Sequence, residues 1–234
     1  MSTTGLREHT SHDYEVELNA VRFKLMEMSR QVDGVVEASG RALVSRDVAL
    51  ANEIILGDDE TDDMELEIDH LCLEILARRQ PVAGDLRLLT SALKLVVDLE
   101  RIGDLGVSIA TRVAELDSTP SPLPYDEILP MLTMARQMVS ESLAALVTGD
   151  VPRARGVIDK DEVLDSTYAH MFHQILSRMR DETIDVANAT RVQAITKYIE
   201  RIGDHAVNMA ERVIFVLTGE DVRHQPRLRR SELS

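Results

Sequence analysis

The sequence predicts an all-α fold of two tandem three-helix bundles, six helices in all, related by pseudo-symmetry. Three observations lead to this prediction. Apolar residues recur at alternating spacings of three and four, the pentapeptide ERIGD occurs at 100–104 and again at 200–204, and a proline-rich segment separates the two halves. Such spacing is typical of helices that pack along a seam, and the repeat indicates a tandem duplication.

The first repeat is predicted over residues 13–117. Its first helix carries a stripe that consists of Tyr14, Leu18, Val21, Leu25, Met28, Val32, Val35 and Ser39. Its second helix is expected from about Val48 to Arg79, with a stripe that consists of Leu56, Asp59, Asp63, Leu66, His70, Leu73 and Ala77. The third helix is expected from about Pro81 to Leu116, with seam rows Leu86, Leu93, Glu100, Val107, Ala114 and Leu89, Val96, Gly103, Ala110.

Residues 118–127 are predicted to be a linker, because three prolines interrupt any helix there. The second repeat is predicted over 128–217 and shows the same order of stripes. Its fourth helix carries Tyr125, Ile128, Leu132, Ala135, Val139, Ser142 and Leu146. Its fifth carries Ala154, Ile158, Asp161, Asp165, Tyr168, Phe172, Ile175 and Met179, and its sixth carries Glu200, Gly203, Val207, Ala210, Ile214 and Leu217. Residues 218–234 read as a polar tail.

Composition agrees with helices and narrows the classes of partner. Hydrophobic residues make up 44% of the 234 residues and aromatics only 3%, so aliphatic residues that favour helices must fill the core. A formal net charge of -15 repels phosphate backbones, so nucleic acid is a poor partner. Cys72 lies in an apolar run and is expected to be a small buried hydrophobe. With neither a secretory signal nor an apolar run of about 18 residues, a cytoplasmic protein without membrane insertion is expected.

Carboxylates at helical spacing suggest metal binding. Residues four apart share a helix face, and a register of 102 places Asp59 and Asp63 on Asp161 and Asp165, beside the repeated pairs Glu100/Asp104 and Glu200/Asp204. Several of these residues occupy predicted core rows, where an unbalanced carboxylate costs several kcal/mol. A bound cation would offset that cost, and all-oxygen ligation favours Mg²⁺, Mn²⁺, Ca²⁺ or ferric iron.

Two other interpretations remain open from the residues. A metal-independent helical adaptor would use the same carboxylates to pair with arginines of a partner. A di-iron carboxylate oxidase would need Glu-x-x-His motifs on two helices, of which Glu67 and His70 supply one, whereas the second half has Ala169 and Phe172 at the corresponding positions.

These residues resemble the PhoU family, the regulators of bacterial phosphate-specific transport, over about residues 13–217. In the first half the resemblance covers DETDDMELEI at 59–68, QPVAGDLR at 80–87 and DLERIGD at 98–104. In the second half it covers DEVLD at 161–165 and ERIGDHAVNMAER at 200–212. One departure is that Leu105 and Ser108 stand where the second motif has His205 and Asn208, so the first site is expected to bind metal less tightly.

The resemblance implies metal clusters, most often of iron, with Mn, Mg or Zn as alternatives. By motif position it implies two ligand sets, Asp59, Asp63, Glu100 and Asp104 in the first half and Asp161, Asp165, Glu200 and Asp204 in the second. It implies a non-enzymatic negative regulator of phosphate uptake and of the phosphate-starvation response. Such a protein couples the ATPase subunit of the phosphate ABC transporter to a phosphate-sensing histidine kinase, is expected to be a homodimer, and reaches the membrane through its partners. Asp85 and Arg87, at the start of the third helix, are expected either to cap that helix or to contact a partner.

Overall fold

The structure, a computed structural model, describes residues 4–57, 59–116 and 125–223. Seven α-helices account for nearly all of these residues, which confirms the all-α prediction. The helices are α1 (Thr4–Ser45), α2 (Val48–Leu56), α3 (Asp59–Arg79), α4 (Ala83–Ala114), α5 (Tyr125–Thr148), α6 (Val151–Arg180) and α7 (Val186–Thr218).

Each repeat forms one three-helix bundle. In the first bundle α1 packs against α4, and the short helices α2 and α3 together take the place of the third helix. In the second bundle α5 and α6 both pack against α7. The two bundles meet because α4 packs against α7 and α1 contacts α5. α4 and α7 therefore lie at the centre of the molecule, where most of their apolar side chains are buried in one continuous core.

Aspartates begin several helices at matching places in the two repeats. The side chain of Asp47 accepts a hydrogen bond from the amide of Leu50 at the start of α2, and that of Asp150 accepts one from Arg153 at the start of α6, both at 3.0 Å. Such N-caps satisfy amides that a helix leaves unpaired. Since Asp47 and Asp150 are 103 positions apart, the outer helices of the two repeats align in that register.

The predicted second helix is wrong in one respect, because it is broken into α2 and α3. Gly57 ends α2, where its amide hydrogen-bonds back to the carbonyl oxygens of Glu53 and Ile54. The stripe predicted for that helix also faces outward. Leu56, Leu66 and Leu73 are 83%, 68% and 57% exposed, and the residues that α3 buries are Thr61, Ile68, Cys72 and Ile75.

Glycine contacts explain why the predicted register fails. A Cβ at Gly103 of α4 would lie 3.4 Å from Thr61, and a Cβ at Gly203 of α7 would meet Leu164. Thr61 and Leu164 are thus equivalent, and they are 103 rather than 102 positions apart. A shift of one residue turns a helix by about 100°, which carries the predicted stripe from the core to the surface.

The remaining stripes are largely confirmed. On α1 the buried row includes Leu18, Val21, Leu25, Met28 and Val32, after which Val36 replaces Val35. The rows predicted for α5 from Ile128 onward and for α7, and the Leu89–Ala110 row of α4, are buried except for the half-buried Glu200 and Leu217 of α7. The row through Leu86 and Glu100 lies at the edge of the core. α1 begins nine residues before the predicted repeat boundary, and α5 begins inside the predicted linker, of which residues 118–124 lie outside the described residues. The polar tail is described only to residue 223.

Candidate functional site

The second repeat brings its four predicted carboxylates together where α6 packs against α7. Asp161 is 3% exposed, and its Oδ1 lies 3.7 Å from the position that a Cβ on Gly203 would take. Partial burial and then the charges of Glu200, Asp161 and Asp165 raise the pKa of Asp204. The charges of the other three predicted acids therefore act on Asp204, and metal binding by the four stays a prediction.

One cation already sits beside this group. Lys197 Nζ donates to Glu200 Oε2 at 2.5 Å and lies 5.2 Å from the centre of the Tyr168 ring. The glutamate side chain is only 12% exposed. Lys197 offsets part of the negative charge and lowers the pKa of Asp204, but burial and the neighbouring acids together raise that pKa by more.

The first repeat places a second acidic group where α3 packs against α4. The Glu100 side chain is 16% exposed, and burial followed by the charge of Asp104 raises its pKa. Arg101 moderates this effect, since its Nη1 donates to Asp104 at 3.0 Å and its Nε lies 3.3 Å from Glu100. Glu65 of α3 likewise has a raised pKa, mainly because of burial and then Asp69 and Asp62.

The α3 residues in this first group differ in part from those predicted. Glu65 and Asp62 are the α3 carboxylates whose charges act on Glu100. Glu65 is half-buried, whereas Asp62 and the predicted Asp63 are both exposed. The side chain of Asp59 lies outside the described residues. The signal that sequence reasoning missed is the 103-residue register, in which Asp62 rather than Asp63 corresponds to Asp165 of the second repeat. Glu65 corresponds to Tyr168, so no repeat of the sequence indicated it.

The two acidic groups have the donor chemistry of a hard-metal site but not a closed coordination shell. Carboxylate oxygens are the ligands that Mg²⁺, Mn²⁺, Ca²⁺ and ferric iron prefer, and in each group the acids outnumber the one cation paired with them. Within residues 4–57, 59–116 and 125–223, however, no three acidic, histidine or cysteine side chains converge on a point that would hold a metal ion. The residues fit such an ion in kind, and its binding stays a prediction.

The residues considered for an oxidase lie apart from both acidic groups. Glu67 is exposed and accepts a hydrogen bond from Lys24 of α1 at 3.1 Å, and His70 is exposed on the outer face of α3. A di-iron centre of that class lies inside the bundle. This location gives the oxidase interpretation no support.

Comparison with known proteins explains the duplication. The PhoU domain model matches residues 25–113 and again residues 128–213. The chain belongs to the PhoU family. The phosphate-specific transport system accessory protein PhoU homolog of Pseudomonas aeruginosa is 37% identical over 221 residues, which cover 94% of this chain and 91% of that one. The protein of the same description from Aquifex aeolicus is 34% identical over 209 residues, covering 89% of this chain and 95% of that one.

Solved structures show the same PhoU architecture. The crystal structure of PhoU from Pseudomonas aeruginosa superposes with a TM-score of 0.84 at 36% identity and covers 88% of this chain and all (100%) of that one. The phosphate transport system regulatory protein PhoU from Streptococcus pneumoniae also gives 0.84, at 27% identity, with 89% and 99% coverage. Among the described ranges, no helix has both the length and the apolar character that crossing a bilayer requires.

A polar network joins the two PhoU repeats. Asp98 of α4, only 5% exposed, accepts a hydrogen bond from Arg212 Nε at 3.0 Å and lies 3.0 Å from His205 Nδ1, both on α7. The pseudo-equivalent Arg112 lies near enough to Tyr198 of α7 for that side chain to raise the pKa of the arginine. Each repeat therefore sends one arginine to the residue two positions before the other repeat's ERIGD motif. The sequence showed that Arg112 and Arg212 repeat, but it gave no sign of these partners.

Arg87 makes a contact with the end of α7 that neither of the expected roles described. Its Nε donates to the carbonyl oxygen of Val216 at 3.3 Å, and its guanidinium covers Gly219, which ends α7 with a φ of +78°. A cation is favourable at the C-terminus of a helix, and glycine adopts this left-handed conformation without strain. Asp85 lies in the first turn of α4, where a negative charge is favourable.

Proposed function

We propose that this chain is an accessory protein of a phosphate-specific transport system that restrains phosphate uptake and the phosphate-starvation response. The observation that carries the proposal is the match of both PhoU domains, together with relatives named as such accessory proteins that align over 94% of the chain. We further propose that the protein contacts the ATPase subunit of the phosphate ABC transporter and a phosphate-sensing histidine kinase. It acts by these contacts rather than by turnover.

The architecture supports a role as a rigid docking protein. α4 and α7 pack through the centre of the molecule, and each carries one acidic group at its contact with α3 or α6. The exposed members of these groups are Asp62, Asp63, Asp165 and Asp204. The network of Asp98, Arg212 and Arg112 fixes how the repeats lie relative to one another. A partner therefore meets two acidic surfaces at a constant separation, and their charge would attract a basic surface on that partner.

A hard metal ion, iron or alternatively Mn, Mg or Zn, is the second element of the proposal. It would be held in the second repeat by Asp161, Asp165, Glu200 and Asp204, and in the first by Glu100 and Asp104. From α3, Glu65 and Asp62 are placed to join the first set, besides the predicted Asp59 and Asp63. When bound, such an ion would supply the positive charge that these carboxylates lack.

Thermal unfolding with Mn²⁺ tests the metal element without any activity assay. At 100 times the dissociation constant, binding stabilises a fold by about 2.7 kcal/mol, which corresponds to a rise of about 5–11 °C in Tm for a chain of this size. Glu100→Gln should raise the Tm of the metal-free protein, because it removes a repelled charge, and should reduce the Mn²⁺-induced rise. Glu162→Gln is the matched control, since Glu162 is exposed beside Asp161. An equal Mn²⁺ response in Glu100→Gln and wild type would contradict the assignment.

A deletion strain tests the regulatory function. Without this protein, a starvation-regulated alkaline phosphatase reporter should stay active in rich phosphate, and the wild-type gene should restore repression. Normal repression in the deletion strain would refute the regulatory role. If chelator leaves binding to the transporter ATPase unchanged in a pull-down, whereas raised salt weakens it, the metal-independent adaptor would be favoured.

The outer face of α3 supports a homodimer. Leu66 and Leu73 are 68% and 57% exposed and stand seven residues apart, the spacing of a helix that packs against a partner helix. We expect the wild-type protein to have the mass of a dimer by light scattering and the double variant Leu66→Lys, Leu73→Lys to have that of a monomer. A double variant that retains the dimer mass would place the interface elsewhere.

A further inference from the structure

Two grooves lie along the contact between α1 and α5, one toward each end. The first, of about 610 Å³, lies between the C-terminal part of α1 and the N-terminal part of α5. The second, of about 680 Å³, lies between residues 19–30 of α1 and the C-terminal end of α5. We call the second the arginine groove, because Arg22 and Arg30 line it.

The two grooves occupy pseudo-equivalent places but carry different side chains. In the 103-residue register, Val147 and Thr148 of the arginine groove correspond to Val44 and Ser45 of the first groove. Arg30, however, corresponds to Thr133. Duplication therefore accounts for the shape of the arginine groove and leaves its charge unexplained.

The charge of the arginine groove is opposite to that of the chain. Its lining contains two arginines and no acid, although the chain has 41 acidic residues against 26 basic ones. Among the described residues, Arg22 hydrogen-bonds only to the neutral Asn19, through Nη1 at 2.8 Å, and Arg30 has no ion pair. Arg136 of the first groove, by contrast, is held by Asp33 at 2.6 Å.

The arginine groove also offers an aromatic surface. Phe23 is 56% exposed, in a chain with only three phenylalanines, and it lies between the two arginines in sequence. Arg22 and Arg30 are two helical turns apart, about 12 Å along the axis, and their long side chains can converge from both ends. One guanidinium group can donate two parallel hydrogen bonds to the oxygens of a phosphate. An aromatic ring can stack on a planar nucleic-acid base.

We propose that the arginine groove binds a nucleoside polyphosphate, with Arg22 and Arg30 holding the phosphate chain and Phe23 stacking on the base. The volume of the groove lies within the range of small-ligand sites, about 300–1,000 Å³, and is far larger than inorganic phosphate needs. This site is separate from both acidic groups, and its occupancy does not depend on the regulatory role proposed above.

Calorimetric titration of the full chain tests the proposal, with ATP, AMP, tripolyphosphate and inorganic phosphate as ligands in a buffer with EDTA and 150 mM salt. EDTA keeps metal-bound nucleotide away from the acidic groups. We expect ATP to bind more tightly than AMP, and Arg30→Gln to weaken ATP binding at least tenfold. Phe23→Ala should weaken ATP but leave tripolyphosphate unchanged. Arg41→Gln is the matched control, since Arg41 lines the first groove, and it should leave ATP binding as in wild type.

Several results would overturn the proposal. Absence of ATP binding to the wild-type chain at millimolar concentration would refute it directly. Equal weakening by Arg41→Gln and Arg30→Gln would show general attraction to positive charge rather than a site. Equal binding of inorganic phosphate and ATP would remove the nucleoside from the assignment. Circular dichroism of each variant, which should match that of wild type because both arginines lie at the surface of α1, excludes misfolding as the cause of lost binding.

Discussion

Replacing Asp98 by alanine removes the carboxylate that joins α4 to α7 across the two repeats. Asp98 is 5% exposed and lies 3.0 Å from both Arg212 Nε and His205 Nδ1. A hydrogen bond to a charged group contributes about 1.5–3 kcal/mol, and truncation also leaves the guanidinium without its acceptor. Arg212 is 22% exposed at its side chain, so water recovers part of that loss. The expected cost is about 2–3 kcal/mol.

Chemical and thermal unfolding measure this cost. For a chain of this size, about 2–3 kcal/mol corresponds to a fall of about 4–12 °C in Tm. Tyr198→Phe is the control at the pseudo-equivalent position. It should cost less than about 1 kcal/mol, because Arg112 keeps Glu115 as a partner.

A double-mutant cycle identifies the interaction itself. Asp98→Ala combined with Arg212→Ala should show a coupling energy of at least about 1 kcal/mol, since contacting residues in one network do not add independently. A loss of less than about 0.5 kcal/mol in Asp98→Ala, or strictly additive single variants, would refute the view that this network holds the repeats together.

Three further predictions concern packing, pH and thiol chemistry. Gly103→Ala should stabilise the protein by up to about 1 kcal/mol through helix propensity, because the new Cβ would lie 3.4 Å from the nearest atom. Gly203→Ala should destabilise the protein, because its Cβ would overlap the side chain of Leu164. Urea unfolding of the two variants and wild type measures both effects. The hydrogen bond from Arg79 lowers the pKa of Glu17 below its usual 4.5, so this pair stabilises the fold above that pH and the contribution is lost as pH falls through the lowered pKa. The stability advantage of wild type over Glu17→Gln should therefore shrink in acid titrations, and a constant difference would contradict it. Cys72 is fully buried, and burial raises its pKa to about 12, so a maleimide should label it only after unfolding.

Helix periodicity alone determined much of this protein. The stripes of α1, α5 and α7 specified their buried faces, because side chains at spacings of three and four must lie on one side of a helix. The repeated ERIGD segments predicted the duplicated bundle, and they placed Glu100, Asp104, Glu200 and Asp204 at its helix contacts. These features are local, so the sequence contains them in full.

Tertiary packing decided what periodicity leaves open. α3 has apolar residues on more than one face, and the contact of Thr61 with Gly103 turned Leu66 outward and brought Glu65 toward Glu100. Asp98 and Arg212 are 114 positions apart, and no local pattern pairs residues at that distance. Arg22 and Arg30 both lie on α1, but the groove that they line exists only where α1 meets α5. In each case the outcome depends on how two helices fit together, which is set by the shapes of both surfaces rather than by the spacing of residues along either one.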